Sequence, residues 1–292
     1  MRFLSLVLIP LFAMVTLQAA AAQTLECPND SQPKHWHSPA SNNLADKAPD
    51  QCATCASVAN QSHPSCIVYR ILHSEDCRDG RCGNEQGEFW VNWQGGYAIQ
   101  QSLRYRQPLK FILDAGSNCW FLVWALEPVI GVEHVVARDK VNYWRVGFEA
   151  ATQMVQPPIP QTQLAMVIQP AHRRSQHQLH VHIGRIQSEY RQALDELPAV
   201  AKTIYELGFD GHDFLIRYLP DLPGKQPLAG YEVFTEVAAM IPGGESSMPL
   251  YGVLVARAAN EAGSWLMAAQ GLTRRELAVS HDNACKFEDK KH

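Results

Sequence analysis

The chain has 292 residues, of which 46% are hydrophobic and 18% charged, and its formal net charge is −4. Such a composition fits a folded protein with a sizeable core and excludes a disordered one. The small charge, with no lysine- or arginine-rich stripe, argues against nucleic acid as a partner, although one or two local arginines suffice to bind a phosphate.

The first element is an export signal. Met1 and Arg2 form a short basic region, Phe3 to Val15 is an almost unbroken apolar run, and QAAAAQ follows. Ala20, Ala21 and Ala22 satisfy the small-x-small cleavage pattern, so residues 1–22 read as a signal peptide cut near Ala22, or as an N-terminal anchor if uncut. The run is short for a membrane span and Pro10 interrupts it; no second span is read.

Export changes the meaning of the eight cysteines, Cys27, Cys52, Cys55, Cys66, Cys77, Cys82, Cys119 and Cys285. An even number in an exported chain points to disulfides. Cys52 and Cys55 have redox-motif spacing, but no thioredoxin-like strand–helix pattern surrounds them, so they read as halves of separate structural bridges. Cys77 and Cys82 flank RDGR and could close a small loop; connectivity stays open.

Residues 23–118 read as a loop-rich, cysteine-containing segment packing on the same domain. Residues 23–65 are rich in Pro, Ser, Asn, Gln and Asp, while CIVYRIL, GEFWVNW and LKFILDAG read as strands. The region from Cys119 to Cys285 is more regular. CWFLVW is a buried strand, and an amphipathic helix spans about Asp139 to Val155, where Val141, Trp144, Phe148, Ala151 and Val155 recur at helical spacing. Pro157, Pro158 and Pro160 end it. QLAMVIQ is a strand, the basic loop PAHRRSQ leads into the strand QLHVHI, and Ser188 to Leu207 reads as a helix with Ser188 as N-cap and Pro198 as a break. LYGVLVARA and GSWLMAAQ, joined through NEAG, read as a hairpin. Residues 286–292 are a polar tail. These elements predict an α+β fold, an antiparallel sheet with flanking helices.

The strand QLHVHI carries the chemistry. Side chains alternate across a strand. Leu179, Val181 and Ile183 therefore face the core, and Gln178, His180 and His182 form one row on the other face. Arg173, Arg174 and Ser175 enter at the top of that row and form a candidate phosphate site of guanidinium groups, a hydroxyl and backbone N–H groups. Three readings of the row stand open. It is an exposed strand with incidental histidines, a metal half-site needing further ligands from His134, His172, His177 or Glu133, or a nucleophilic site for attack on phosphorus. No H-E-x-x-H motif supports the metal, and no H-x-T or H-x-S pair supports a 2H-type phosphoesterase.

QLHVHI resembles the H-φ-H-φ-H-φ signature of the histidine-triad nucleotide hydrolases and transferases, with Gln178 in place of the first histidine. The blocks CWFLVWALEPVIGVEH, NYWRVGFEA, LAMVIQPAHRRSQHQLHVHIGRIQSEYRQALDEL, GHDFLIRYL, YEVFTEVA, LYGVLVARA and WLMAAQ resemble, in order and spacing, the CDP-diacylglycerol pyrophosphatase family. That family is an exported or membrane-associated branch of the histidine-triad superfamily, and the resemblance covers about Cys119 to Cys285.

The resemblance implies a histidine-triad-like fold and a phosphoric anhydride hydrolase that converts CDP-diacylglycerol to CMP and phosphatidate through a cytidylyl-histidine, with no cofactor and no metal. It makes His180 the nucleophile and His182 the leaving-group and phosphate contact. Ser175, Gln178, Arg173, Arg174 and Gln169 become the phosphate-binding set. A backbone carbonyl at the first-histidine position would fix the tautomer of His180 whatever side chain stands there. The superfamily's basic residue after the first buried strand falls here on Pro128, which leaves His134 as an auxiliary candidate; His177 reads as loop-borne. The lipid substrate implies a membrane surface as partner, with one or two of Trp120, Trp124, Tyr143 and Trp144 at the lipid interface. It also implies a periplasmic location or attachment to the periplasmic face of the inner membrane; the superfamily implies a homodimer. The competing readings are an exported metal-binding protein using His180 and His182, and a non-catalytic lipid- or nucleotide-binding module.

Overall fold

The computed structural model describes Cys55 and residues 66–77, 81–84, 87–92, 97–101, 121–126, 129–132, 142–156, 158–171, 173–174, 176–209, 211–272 and 286–287. The signal segment, the run LKFILDAG and six of the eight cysteines other than Cys66 and Cys77 include positions outside these residues; of the six, only Cys55 and Cys82 are described. Among the described residues no helix is long and apolar enough to cross a membrane.

The described elements begin with helix α1 (Ile67–Leu72) and strands β1 (Arg81–Asn84), β2 (Gly87–Asn92), β3 (Tyr97–Gln101) and β4 (Phe121–Ala125). Helix α2 (Tyr143–Glu149) continues into a π-turn at Ala150–Met154 and the short β5 (Val155–Gln156). Then come β6 (Leu164–Ile168), β7 (His180–Arg185), α3 (Ser188–Asp195), β8 (Ile204–Phe209), β9 (His212–Pro220), α4 (Val233–Ala238), β10 (Tyr251–Arg257), β11 (Gly263–Gln270) and β12 (Lys286–Phe287). Ten strands form one sheet in the order β1-β2-β3-β4-β7-β6-β10-β11-β9-β8, with every pairing antiparallel. The α+β class with an antiparallel sheet is what the element pattern predicts.

Both faces of the central strands are covered. One face presents Val123, Val181, Ile183, Met166, Ile168, Val253 and Val255 to α2 and α4. The other presents Leu122, Trp124, Val167, Leu254 and Met267 to α1, through Val68 and Leu72, and to α3, through Tyr190 and Leu194. Burial on both faces is why β6 and β10 are continuous apolar runs rather than alternating ones. Helix α2 sits directly on β7 because Gly147 has no Cβ. A methyl there would lie 2.6 Å from Ile183 Cδ1 and 3.0 Å from Met166 Sδ.

Several expectations are corrected. CIVYRIL is a helix: Val68 and Leu72 lie one helical turn apart and reach the sheet, while Tyr69 packs on Cys55 and Cys66. The same segment also supplies three strands of the main sheet, among them β2 in GEFWVNW, as expected there. The helix expected over Asp139 to Val155 begins at Tyr143, where Asn142 Oδ1 accepts from the backbone N–H of Arg145 at 2.9 Å, and it ends at Met154. The helix expected over Ser188 to Leu207 stops at Asp195, and Ile204–Phe209 is strand β8. Pro198 cannot continue helical bonding, and Lys202 at φ 66 turns the chain. Tyr205, Leu207 and Phe209 then alternate onto the α3 side of the sheet as β8 pairs with β9. Ser188 is the first helical residue, with Gln187 at the cap. The tail is not wholly loose, since Lys286 and Phe287 pair with β5.

Cysteine pairing is partly resolved. Cys55 bonds Cys66 rather than its near neighbour Cys52, as expected for halves of separate bridges, and Cys77 is also disulfide-bonded.

Candidate active site

Strand β7 lies between β4 and β6 near the middle of the sheet. The register sets Trp124 opposite His180 and Leu122 opposite His182, with Val167 opposite His182 on the other flank. Leu179, Val181 and Ile183 enter the α2-side core, as alternation predicts. His180 and His182 take the opposite face, yet that face is not open to solvent. His180 is 8% exposed and His182 2%. An incidental, water-facing pair is therefore excluded, and of the two rings His180 keeps the greater access.

The start of the strand is anchored in three places. Leu179 N–H donates to Val129 O at 2.6 Å, Leu179 O accepts from Ala125 N–H at 3.0 Å, and the Gln178 amide Nε2 donates to Ala125 O at 2.5 Å. Gln178 is fully buried. Its amide Nε2, expected among the phosphate-binding groups, is turned to the end of β4. The peptide carbonyl of Gln178 lies 2.8 Å from His180 Nδ1. A carbonyl can only accept, so Nδ1 carries a proton, and in the neutral ring Nε2 is the nitrogen with the lone pair.

Two rings frame His180. Trp124 stacks on it with centroids 4.2 Å apart at 28°, and His182 meets it edge-on at 4.8 Å and 70°. Among the described residues no group of three or more His, Cys, Asp or Glu side chains is arranged to hold a metal.

The loop before β7 is built by a turn in which Pro170 O accepts from the N–H groups of Arg173 and Arg174. Arg173 is exposed, whereas Arg174 is buried with a guanidinium nitrogen 3.4 Å from His177 Nδ1. The strand starts at His180, so His177 is loop-borne. Gln169 is half-buried just after β6. Ser175, His134, His172, Glu133, Pro128 and Trp120 lie outside the described residues. Trp124, Tyr143 and Trp144 are each 3% exposed or less and belong to the core, which leaves Trp120, outside the described residues, as the remaining candidate of the four for a lipid interface.

Sequence reasoning missed the contribution of the N-terminal segment. Gln176 Oε1 accepts from Val68 N–H at the start of α1, 3.4 Å away. Cys55 Sγ touches His177 O at 3.3 Å, a van der Waals contact because a disulfide sulfur has no proton to donate. It also missed the stack of Trp124 on His180. Only the strand register pairs those two, and periodicity within a single strand does not contain it.

The model of the CDP-diacylglycerol pyrophosphatase family matches residues 101–291, more than half of the chain. A CDP-diacylglycerol pyrophosphatase of Yersinia pestis is 24% identical over 210 residues, covering 69% of this chain and 73% of the relative. The matched region contains the histidine strand and the strands on both sides of it, while α1 and the Cys55–Cys66 bridge precede it. By the extent of that match, this chain belongs to the CDP-diacylglycerol pyrophosphatase family.

Proposed function

We propose that this chain hydrolyses the pyrophosphate bond of CDP-diacylglycerol to CMP and phosphatidate, with His180 as nucleophile. Family membership supports the reaction. The observation that carries the residue assignment is the 2.8 Å contact between His180 Nδ1 and the Gln178 carbonyl, which in the neutral ring puts the lone pair on Nε2. The reading takes the strand as a histidine-triad variant with a glutamine in the first position. A backbone acceptor does not require a histidine side chain there.

In the first step the Nε2 lone pair attacks the cytidine-bearing phosphorus. The P–O bond to the phosphatidyl phosphate breaks, and its electron pair leaves with phosphatidate. His182, adjacent to His180, assists that oxygen; proton donation of this kind contributes about 10²–10⁴-fold. Water then attacks the same phosphorus, the N–P bond breaks and CMP is released. Ser175, Gln169 and the exposed Arg173 bind the phosphate oxygens, and the buried Arg174 holds the loop through His177. The leader pattern and the Cys55–Cys66 bridge support an exported enzyme that meets its lipid substrate at a membrane surface.

The test is CMP release from CDP-diacylglycerol in mixed micelles by wild type and His180→Ala. Removal of the nucleophile costs on the order of 10⁴-fold or more. Wild type quenched in alkali is expected to carry cytidylate on His180, in an adduct labile to acid. Activity or adduct persisting in His180→Ala refutes the assignment.

A further inference from the structure

The nucleophile reading leaves Trp124 without a task, yet its ring stacks on that of His180. It is the direct cross-strand neighbour, its ring lies nearly parallel to the imidazole at 4.2 Å, and it is 3% exposed. Packing with Leu122, Leu126 and Val167 in the α1/α3-side core holds the indole where it is. The Gln178 carbonyl fixes one edge of the imidazole, so the ring is held both by an edge and by a face.

That geometry has a consequence for charge. The form of His180 that attacks is the neutral ring. When Nε2 shares its lone pair with phosphorus while Nδ1 keeps its proton, the ring becomes an N-phosphoryl imidazolium with one positive charge spread over it. The charge disappears when water breaks the N–P bond. A π face stacked on the ring attracts the cation more than the neutral imidazole. An interaction stronger in the charged species than in the ground state accelerates the step that forms it.

We infer that Trp124 is a positioning residue of the first half-reaction, holding the plane of His180 and stabilising the positive ring of the cytidylyl-histidine. The inference rests on His180 being the nucleophile. A purely structural Trp124 would contribute to folding and nothing else, and the two roles separate experimentally. Trp124→Phe keeps an aromatic face, whereas Trp124→Leu keeps only apolar bulk.

The experiment is single-turnover formation of the protein-bound cytidylyl adduct from CDP-diacylglycerol, quenched in alkali, beside steady-state kcat and KM and thermal unfolding of each variant. W124L is expected to form the adduct roughly 3- to 30-fold more slowly than wild type, the range a partly or fully desolvated cation–π contact supports. Its KM should be nearly unchanged, with W124F intermediate. Trp124→Met replaces W124L if that variant does not fold. Adduct formation at the wild-type rate in the folded Leu or Met variant overturns the inference alone. So does an equal loss in Phe and Leu variants that tracks their loss of thermal stability. Wild type that carries no adduct on His180 overturns the nucleophile reading, and this inference with it.

Discussion

Replacing Gln178 by leucine separates two roles for that residue. In the structure its amide donates to Ala125 O at 2.5 Å in a fully buried position, and its own carbonyl accepts from His180 Nδ1. Leucine fills similar space, so no large cavity opens, but Ala125 O loses a buried donor. A buried polar group deprived of a partner costs about 1–3 kcal/mol, and the more apolar side chain offsets part of that. A net loss of about 1–2 kcal/mol lowers Tm by about 2–8 °C in a domain of this size. Once the latch is gone, the Gln178 peptide no longer aims its carbonyl firmly at Nδ1. Weakening a hydrogen bond to a ring that becomes charged by about 1.4 kcal/mol slows kcat about tenfold. KM should stay near the wild-type value, because the amide does not reach substrate. Thermal unfolding and CMP release from CDP-diacylglycerol measure both quantities on one preparation. An unchanged Tm with a raised KM would refute the latch and return the Gln178 amide to the phosphate.

Other parts of the structure make separate predictions. The Cys55–Cys66 bridge closes a sequence separation of 11 residues, for which chain entropy gives about 3 kcal/mol; the Cys55→Ser/Cys66→Ser pair should lose about that much in denaturant unfolding. Because the bridged segment contacts the loop before β7 through Gln176 and His177, the same pair should lose activity while still folded. Gly147→Val drives a side chain into Ile183 and Met166 and should destabilise by about 1–3 kcal/mol, readable as a shift in the urea midpoint at constant m. Arg257 is 1% exposed and forms a bidentate pair with Asp221 at 2.8 and 2.9 Å. Asp221→Asn leaves that buried charge without its counter-ion and should cost about 3 kcal/mol, far more than loss of a surface pair. Burial pushes the Tyr218 and Tyr231 hydroxyls above the ordinary tyrosine range, more than the Asn260 hydrogen bond and Arg257 pull Tyr218 down. A raised folded value means stability is complete below pH 10 and declines as pH rises through the folded values, so unfolding free energy should fall above about pH 10. The double variant Tyr218→Phe/Tyr231→Phe should flatten that decline.

The working strand was legible because a period of two is a local property. Leu179, Val181 and Ile183 could be assigned to one core, and His180 and His182 to the opposite face, from spacing alone. The hairpin of β10 and β11 was equally local, with turn residues between two apolar runs. CIVYRIL was misread because seven residues are too few for the period to distinguish a helix from a strand, and only the sheet beneath Val68 and Leu72 decides it. Ile204–Phe209 was misread for a related reason, since TIYELGF follows a true helix and only pairing with β9 makes it a strand.

By itself the sequence determined which side chains share a face and which residue types could attack or bind a phosphate; the backbone acceptor at Gln178 was implied by the family resemblance. Tertiary structure decided that this face is buried rather than exposed, that the amide of Gln178 is turned to Ala125, and that Trp124 lies on the ring of His180. It also decided that a disulfide-pinned helix from before the family-matched region braces the loop leading into the histidine strand. Alternation along a strand is fixed by the bonding of adjacent residues. Contacts between strands depend on register and on what covers the sheet, which residues distant in sequence decide together.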